Sequence, residues 1–266
     1  MDKRQSDLPR SVLEPTDAQT AMLLEELARL QASRQAQQEQ RLGPIQRRIV
    51  LVADRIIFVL SKHWLVLFNL MAFLYIGLPV LAPVLMHAGL ELPARAIYAV
   101  YKPLCNQLPQ RSWFLFGPQA AYSLDELTAW GLVNSPFGPE TRAFVGTPSL
   151  GYKMALCQRC TAIYGTIFIA GVLFTLVRRR LRPLSWWGYL LVGILPMGLD
   201  GGYQLLSYLL PLLWPGSPLL PHETTPLMRT ITGTLFGLAT VWLAYPYVQE
   251  TMDEFYETLH RRFGWE

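Results

Sequence analysis

Four apolar stretches leave this chain little choice of environment: Trp64–Met86, Leu156–Val177, Ser185–Leu210 and Arg229–Val248. A bilayer's hydrocarbon core is about 30 Å thick and a helix rises about 1.5 Å per residue, so runs of some 20 residues match a crossing. Lipid offers no partner to backbone N–H and C=O groups, which makes such segments helical. With 52% hydrophobic residues and a mean hydropathy of +0.24, the 266-residue chain is too apolar for an ordinary water-soluble domain. The expected fold is an all-α integral membrane protein with four transmembrane helices, N-terminal amphipathic helices and a structured outer loop.

The connections follow from composition. Met1–Pro15 reads as a polar tail, and Thr16-Asp17 can cap a helix running to about Arg41 with an apolar stripe of Met22, Leu23, Leu24, Leu27 and Leu30. No secretory signal peptide is expected, because the first 20 residues lack an apolar core. Residues 1–43 thus read as a cytoplasmic tail and polar helix. Residues 44–63 mix Arg47, Arg48, Asp54 and Arg55 with Ile, Val and Leu, as in a helix lying in the headgroup plane. Lys62-His63-Trp64 has the character of an interfacial anchor before the first span, 64–86, whose Pro79 and Pro83 are expected to kink its far end.

Residues 87–155 form a long outer loop. It holds an amphipathic piece (93–104), an apolar Trp113–Phe116, and a helix start at Ser123 with Glu126 as capping-box partner. The second span, 156–177, is stopped by Arg178-Arg179-Arg180-Leu181-Arg182-Pro183. The third, 185–210, contains Pro196 and Asp200, and a proline-rich loop (211–228) leads to the fourth (229–248) and an acidic tail, 249–266.

Basic residues give an orientation. Arg47, Arg48, Arg55 and Lys62 precede the first span, and four arginines occupy the turn after the second. The loop from Trp214 to Met228 has no Lys or Arg. Positive-inside counting puts both termini and the Arg178 turn in the cytoplasm. The net charge of +4 therefore reports orientation rather than a nucleic-acid partner. The partner it implies is the lipid bilayer.

This orientation gathers the chemistry at one depth. Cys157 and Cys160 form a C-x-x-C at the outer start of the second span, where unpaired N–H groups and the helix dipole favour thiolates. Asp200 lies about 21 Å from the inner boundary of the third span, with Gln204 one turn further out. Arg229 opens the fourth, and Cys105 lies in the outer loop with Gln107 and Arg111. Charged residues inside spans are rare and usually face a partner or cavity. The simplest reading of Asp200 and Arg229 is an ion pair locking helices three and four.

The motifs C-x-Q-x-P-x-R-S (Cys105–Ser112), C-x-R-C-T-x-I-Y (Cys157–Tyr164), P-x-x-x-D-G-x-x-Q (Pro196–Gln204) and R-x-x-T-G-x-x-x-G (Arg229–Gly237) carry a resemblance. The chain resembles a family of uncharacterised prokaryotic multi-pass membrane proteins, catalogued as a domain of unknown function. The resemblance implies a multi-pass protein of a prokaryotic cell membrane and no established activity.

Several chemistries remain open for the cysteines. Cys157 and Cys160 could exchange a disulfide, could bind a soft metal such as zinc or copper(I) with Cys105 as third thiolate, or could simply be buried. Arg159, between the two cysteines, joins Gln107, Arg111, Asp200, Gln204 and Arg229 as supporting polar residues. Gly165, Gly233 and Gly237 have the spacing of close helix contacts. No P-loop, dinucleotide fingerprint, nucleophile elbow or H-E-x-x-H occurs, which leans against the common enzyme classes. The leading expectation is a membrane-embedded binding or accessory protein with an outer-face cysteine site, soft-metal binding or redox. The alternatives are a structural or assembly subunit of a larger membrane complex, and third, a small-solute or ion transporter.

Overall fold

The computed structural model describes residues 43–133, 135–178, 180–214 and 220–265, together with positions 22, 24–27, 29, 30 and 33. The expected tail Met1–Pro15 and the Thr16-Asp17 cap lie outside the described residues. The described positions between 22 and 33 are helical and exposed. The chain divides into two compact units, Met1–Val59 and Leu60–Glu266, and the boundary falls inside one continuous helix.

That helix, α1 (Pro44–His87), is 44 residues long and runs without a break through Lys62-His63-Trp64. The sequence divides it into an interfacial helix and a span. The division reflects charge and aromatic content alone, for none of those residues opposes helical backbone dihedrals. Pro79 and Pro83 also lie inside it. Among the described residues two further helices are long and apolar enough to cross a membrane, α5 (Gln158–Val177) and α8 (Pro226–Phe263). Exposed apolar side chains line all three, including Leu70 and Met71 of α1, Ile169 and Leu176 of α5, and Ile231 and Leu238 of α8.

The expected third span is helical but segmented: α6 (Trp186–Tyr189), one π-helical stretch (Leu190–Ile194) and α7 (Leu195–Leu213). Pro196, in the first turn of α7, has no N–H to continue the α-helical ladder, and the π stretch directly precedes it. Helix α8 begins three residues before Arg229, capped by Thr225, whose hydroxyl accepts from Met228 N–H at 3.2 Å. It continues through the expected acidic tail to Phe263.

The connection between α1 and α5 departs from an all-α expectation by carrying a small sheet. After α2 (Glu91–Tyr101) come a 3₁₀ turn (Pro109–Arg111), β1 (Ser112–Leu115), α3 (Leu124–Ala129), α4 (Pro139–Ala143), β2 (Gly146–Thr147) and β3 (Gly151–Cys157). The order is β1-β3-β2, with β3 antiparallel to both neighbours. Gly151 makes the tight return possible: its φ is +80°, and a Cβ there would lie 2.2 Å from Leu115 O. The capping box at Ser123 forms as expected, with Ser123 and Glu126 bonded reciprocally. It opens α3 beside a small core of Phe114, Tyr122, Leu127 and Val133.

Two clusters show how the helices run. Ala82 and Met86 near the end of α1 pack with Ala94, Tyr98 and Tyr101 of α2, with Cys105, and with Ala155 and Leu156 of β3. Trp64, earlier in α1, packs instead with Phe174 near the end of α5 and with Tyr245 of α8. Helices α1 and α5 are therefore antiparallel. Helix α8 descends beside α5, because Gly233 faces Arg159 and Gly237 faces Ile163.

The glycines test this packing. A Cβ on Gly233 would meet Arg159 O at 2.8 Å, and one on Gly237 would meet Ile163 O at 2.6 Å, both backbone atoms that cannot swing aside. Gly165 differs from the expectation: nothing lies within 4 Å of its Cβ position, so it makes no close contact. Gly237→Ala should therefore cost roughly 1–3 kcal/mol by overpacking. Gly165→Ala should be neutral or stabilising by up to about 1 kcal/mol, the helix-propensity difference. Melting in detergent checks this, and equal losses at the two positions would contradict the α5–α8 contact.

Candidate metal centre

Cys105 follows α2, whose end it closes by donating its N–H to Tyr101 O at 2.9 Å. The chain then turns at Gln107, which has a positive φ of 51°. A non-glycine residue holds that conformation only when its surroundings impose it. Here the Gln107 amide donates to Tyr98 O (2.9 Å), and Lys153 Nζ donates to the Gln107 carbonyl (2.5 Å). The loop carrying Cys105 is thus tied to α2 on one side and to β3 on the other.

Cys157 stands where β3 becomes α5. It is the N-cap of the helix, with extended dihedrals, and its sulfur accepts from Cys160 N–H at 3.5 Å. Its own N–H donates to Cys105 Sγ at 3.3 Å. Cys160 sits in the first turn of α5. The three sulfurs lie within 4.8 Å of one another although Cys105 is 52 residues before Cys157. One ion bonded to three thiolates at about 2.3 Å would hold them about 4 Å apart, so a small inward movement suffices. All three are free thiols.

The electrostatics favour a thiolate. The neighbouring Cys157 and Cys160 thiols, together with the Cys157 N–H that donates to its sulfur, hold the Cys105 thiol well below its usual range. Lys153 is fully buried, and its ammonium donates to the carbonyls of Gln107 and Arg142, the latter at 3.2 Å. Burial pushes its pKa down to about 7, opposed by the negative charge at Cys105. Among the described residues no His, Asp or Glu joins the three sulfurs. A three-sulfur donor set suits copper(I), or zinc with its fourth position left to an exogenous ligand.

The supporting polar residues separate into three groups. Gln107 belongs to the thiol loop. Arg159 pairs with Asp200, to which Thr232 also donates at 3.3 Å. Gly201 leaves the space this requires, since a Cβ there would lie 2.8 Å from the Arg159 guanidinium. Arg229 pairs with Glu223, as does Arg111, and Gln204 donates to the same carboxylate. The expected Asp200–Arg229 pair is therefore corrected. Depth alone brought those two together, and each has an oppositely charged residue from another segment at closer range.

Three contributors were not singled out from sequence. Glu223 is the single acid in a proline-rich loop lacking Lys and Arg, which was a readable signal. Lys153 interrupts an otherwise apolar strand. Gln158, fully buried inside the C-x-x-C, donates to Ser112 O (3.3 Å) and accepts from Arg229 Nη1 (3.1 Å). Ser112 is in turn the register partner of Cys157. Gln158 thereby links the thiol corner to the start of α8.

Comparison with known proteins agrees with the membrane reading. Residues 147–243 match the family model described as "Predicted membrane protein (DUF2085)". An uncharacterised protein of Methanocaldococcus jannaschii is 25% identical over 170 residues, covering 63% of this chain and 73% of that protein. Both support the resemblance to an uncharacterised family of membrane proteins, and three of the four motifs, from Cys157, Pro196 and Arg229 onward, fall within the matched residues. No solved structure matches the chain.

Proposed function

We propose that this is a four-span membrane protein that binds one soft metal ion through Cys105, Cys157 and Cys160 at the outer face of a prokaryotic cell membrane. It acts as a binding or accessory protein, with both termini cytoplasmic. The carrying observation is the meeting of three sulfurs, from a loop and from a strand–helix corner, within 4.8 Å. Buried cysteines used only for packing have no need of backbone N–H groups directed at two of the sulfurs, as at Cys105 and Cys157. The Lys153 ammonium offsets part of the charge that a tris-thiolate site carries. Four spans are supported by α1 running antiparallel to α5, by α8 running parallel to α5, and by the helical stretch 186–213 that returns the chain between the last two. A redox pair, Cys157 with Cys160, is the second reading, favoured by their C-x-x-C placement at a helix start.

Metal analysis of detergent-purified protein tests the reading. About one equivalent of copper or zinc is expected, and protein reconstituted with either ion that stays metal-free would reject it. Topology is checked with an impermeant thiol reagent on intact cells, using a variant without native cysteines. A cysteine at Leu220 should be labelled and one at Arg180 should not. The reverse pattern would move the site to the reducing side of the membrane.

A further inference from the structure

A second cluster lies at the same end of the helices and meets the thiol corner through one bond, Arg229 to Gln158. Its centre is the Glu223 carboxylate, which accepts from Arg111 Nε (3.1 Å to Oε1, 2.9 Å to Oε2), Arg111 Nη2 (2.5 Å), Gln204 Nε2 (2.6 Å), the Tyr208 hydroxyl (2.9 Å) and Arg229 Nη2. An ionised carboxylate offers about four lone-pair directions, fewer than the five donor groups directed at it, Arg111 Nε reaching both oxygens. Two guanidinium charges also face one carboxylate charge. The donor set is larger than its occupant.

Three of the donors have contacts besides Glu223. The Arg111 guanidinium lies over the rings of Phe137 (5.4 Å) and Tyr208 (5.9 Å). Arg229 is buried and donates through Nη1 to Gln158 Oε1 (3.1 Å) and Gln110 O (3.4 Å). Gln204, also buried, accepts from Thr224 through its amide oxygen (3.4 Å). Tyr208, Glu223 and Arg229 stand on the wall of a cavity of about 620 Å³, which is the size of a small-ligand site. The other acid on that wall, Asp125, is exposed to solvent.

We propose that Arg111, Gln204, Tyr208 and Arg229 form a binding site for a phosphate-type oxyanion, and that Glu223 fills it in this structure as a tethered stand-in. A phosphate group brings up to two negative charges and three strong acceptor oxygens, which answer the second guanidinium and the surplus donors. The group can reach this end of the helices as free phosphate or on a lipid headgroup. The site does not depend on the metal reading.

The test uses purified full-length protein in four forms: wild type, Glu223→Gln, Glu223→Ala, and Glu223→Ala with Arg111→Gln. Inorganic phosphate is titrated by calorimetry, and each form is separately placed in phosphatidylcholine vesicles with or without phosphatidic acid to measure lipid retention. Glu223→Ala should bind phosphate at least tenfold more tightly than wild type, and Arg111→Gln should remove at least tenfold of that. Retention of phosphatidic acid alone, with the same dependence on Arg111, assigns the site to a lipid headgroup and equally supports it. If Glu223→Gln and Glu223→Ala stay folded and take up neither probe, the proposal is overturned. Equal binding by all four forms overturns it as well. Metal content should not differ among them, so failure here is distinguishable from failure of the thiol site.

Discussion

Serine in place of any one of Cys105, Cys157 or Cys160 is expected to strip most of the bound metal from the purified protein while leaving its melting and elution behaviour nearly unchanged. Each sulfur supplies a third of the protein's donor set, and a serine hydroxyl does not ionise at neutral pH to replace it. Losing an outer-shell partner of a metal ligand already costs about 10–100-fold in affinity. Loss of a ligand should therefore exceed about 100-fold. The fold should persist because the corner is held largely by other groups: the strand pairing of β1 with β3, the Gln158 bonds to Ser112 and Arg229, and the bonds that join Gln107 to the Tyr98 carbonyl and to the Lys153 ammonium. Thiol counting separates the redox reading. A Cys157–Cys160 disulfide predicts one extra free thiol in Cys157→Ser and in Cys160→Ser but none in Cys105→Ser. Unchanged metal content in all three variants would reject the tris-thiolate site.

The second large effect concerns Asp200. It pairs with Arg159, the two side chains being 11% and 22% exposed. Removing one partner of a buried ion pair strands the other and typically costs about 3–5 kcal/mol. Partial exposure of Arg159 brings the expectation for Asp200→Ala to roughly 2–4 kcal/mol, a fall of many degrees in detergent melting. Arg159→Ala combined with Asp200→Ala should recover part of that loss, because no uncompensated guanidinium remains. Arg229→Ala should instead add to Asp200→Ala without coupling, since its carboxylate partner is Glu223. Coupling of Asp200 to Arg229 rather than to Arg159 would invalidate this assignment of pairs.

Local signals carried well where one segment decides its own structure. The start of α5 at Cys157, the capping box at Ser123 and the helix breaks around Arg178–Pro183 depend on neighbouring residues, and their residue types announce them. Strand β3 was hidden because Gly151–Cys157 takes its strand character from pairing with β1, a partner 40 residues earlier. The break expected near Lys62 was a change in surroundings, and backbone dihedrals do not respond to that.

The amino-acid order by itself determined that this chain is a membrane protein, because hydrophobic length is a local sum that no fold can remove. It also determined that the cysteines, Arg159, Asp200 and Arg229 gather at one end, since depth along a helix follows from counting residues. Only the tertiary structure decided which of them touch. Residue spacing sets a side chain's height, whereas helix rotation and the path of the connecting loop set its neighbours. The sulfurs therefore meet through the turn at Gln107, Asp200 meets Arg159 through the space left at Gly201, and Arg229 turns instead to Glu223.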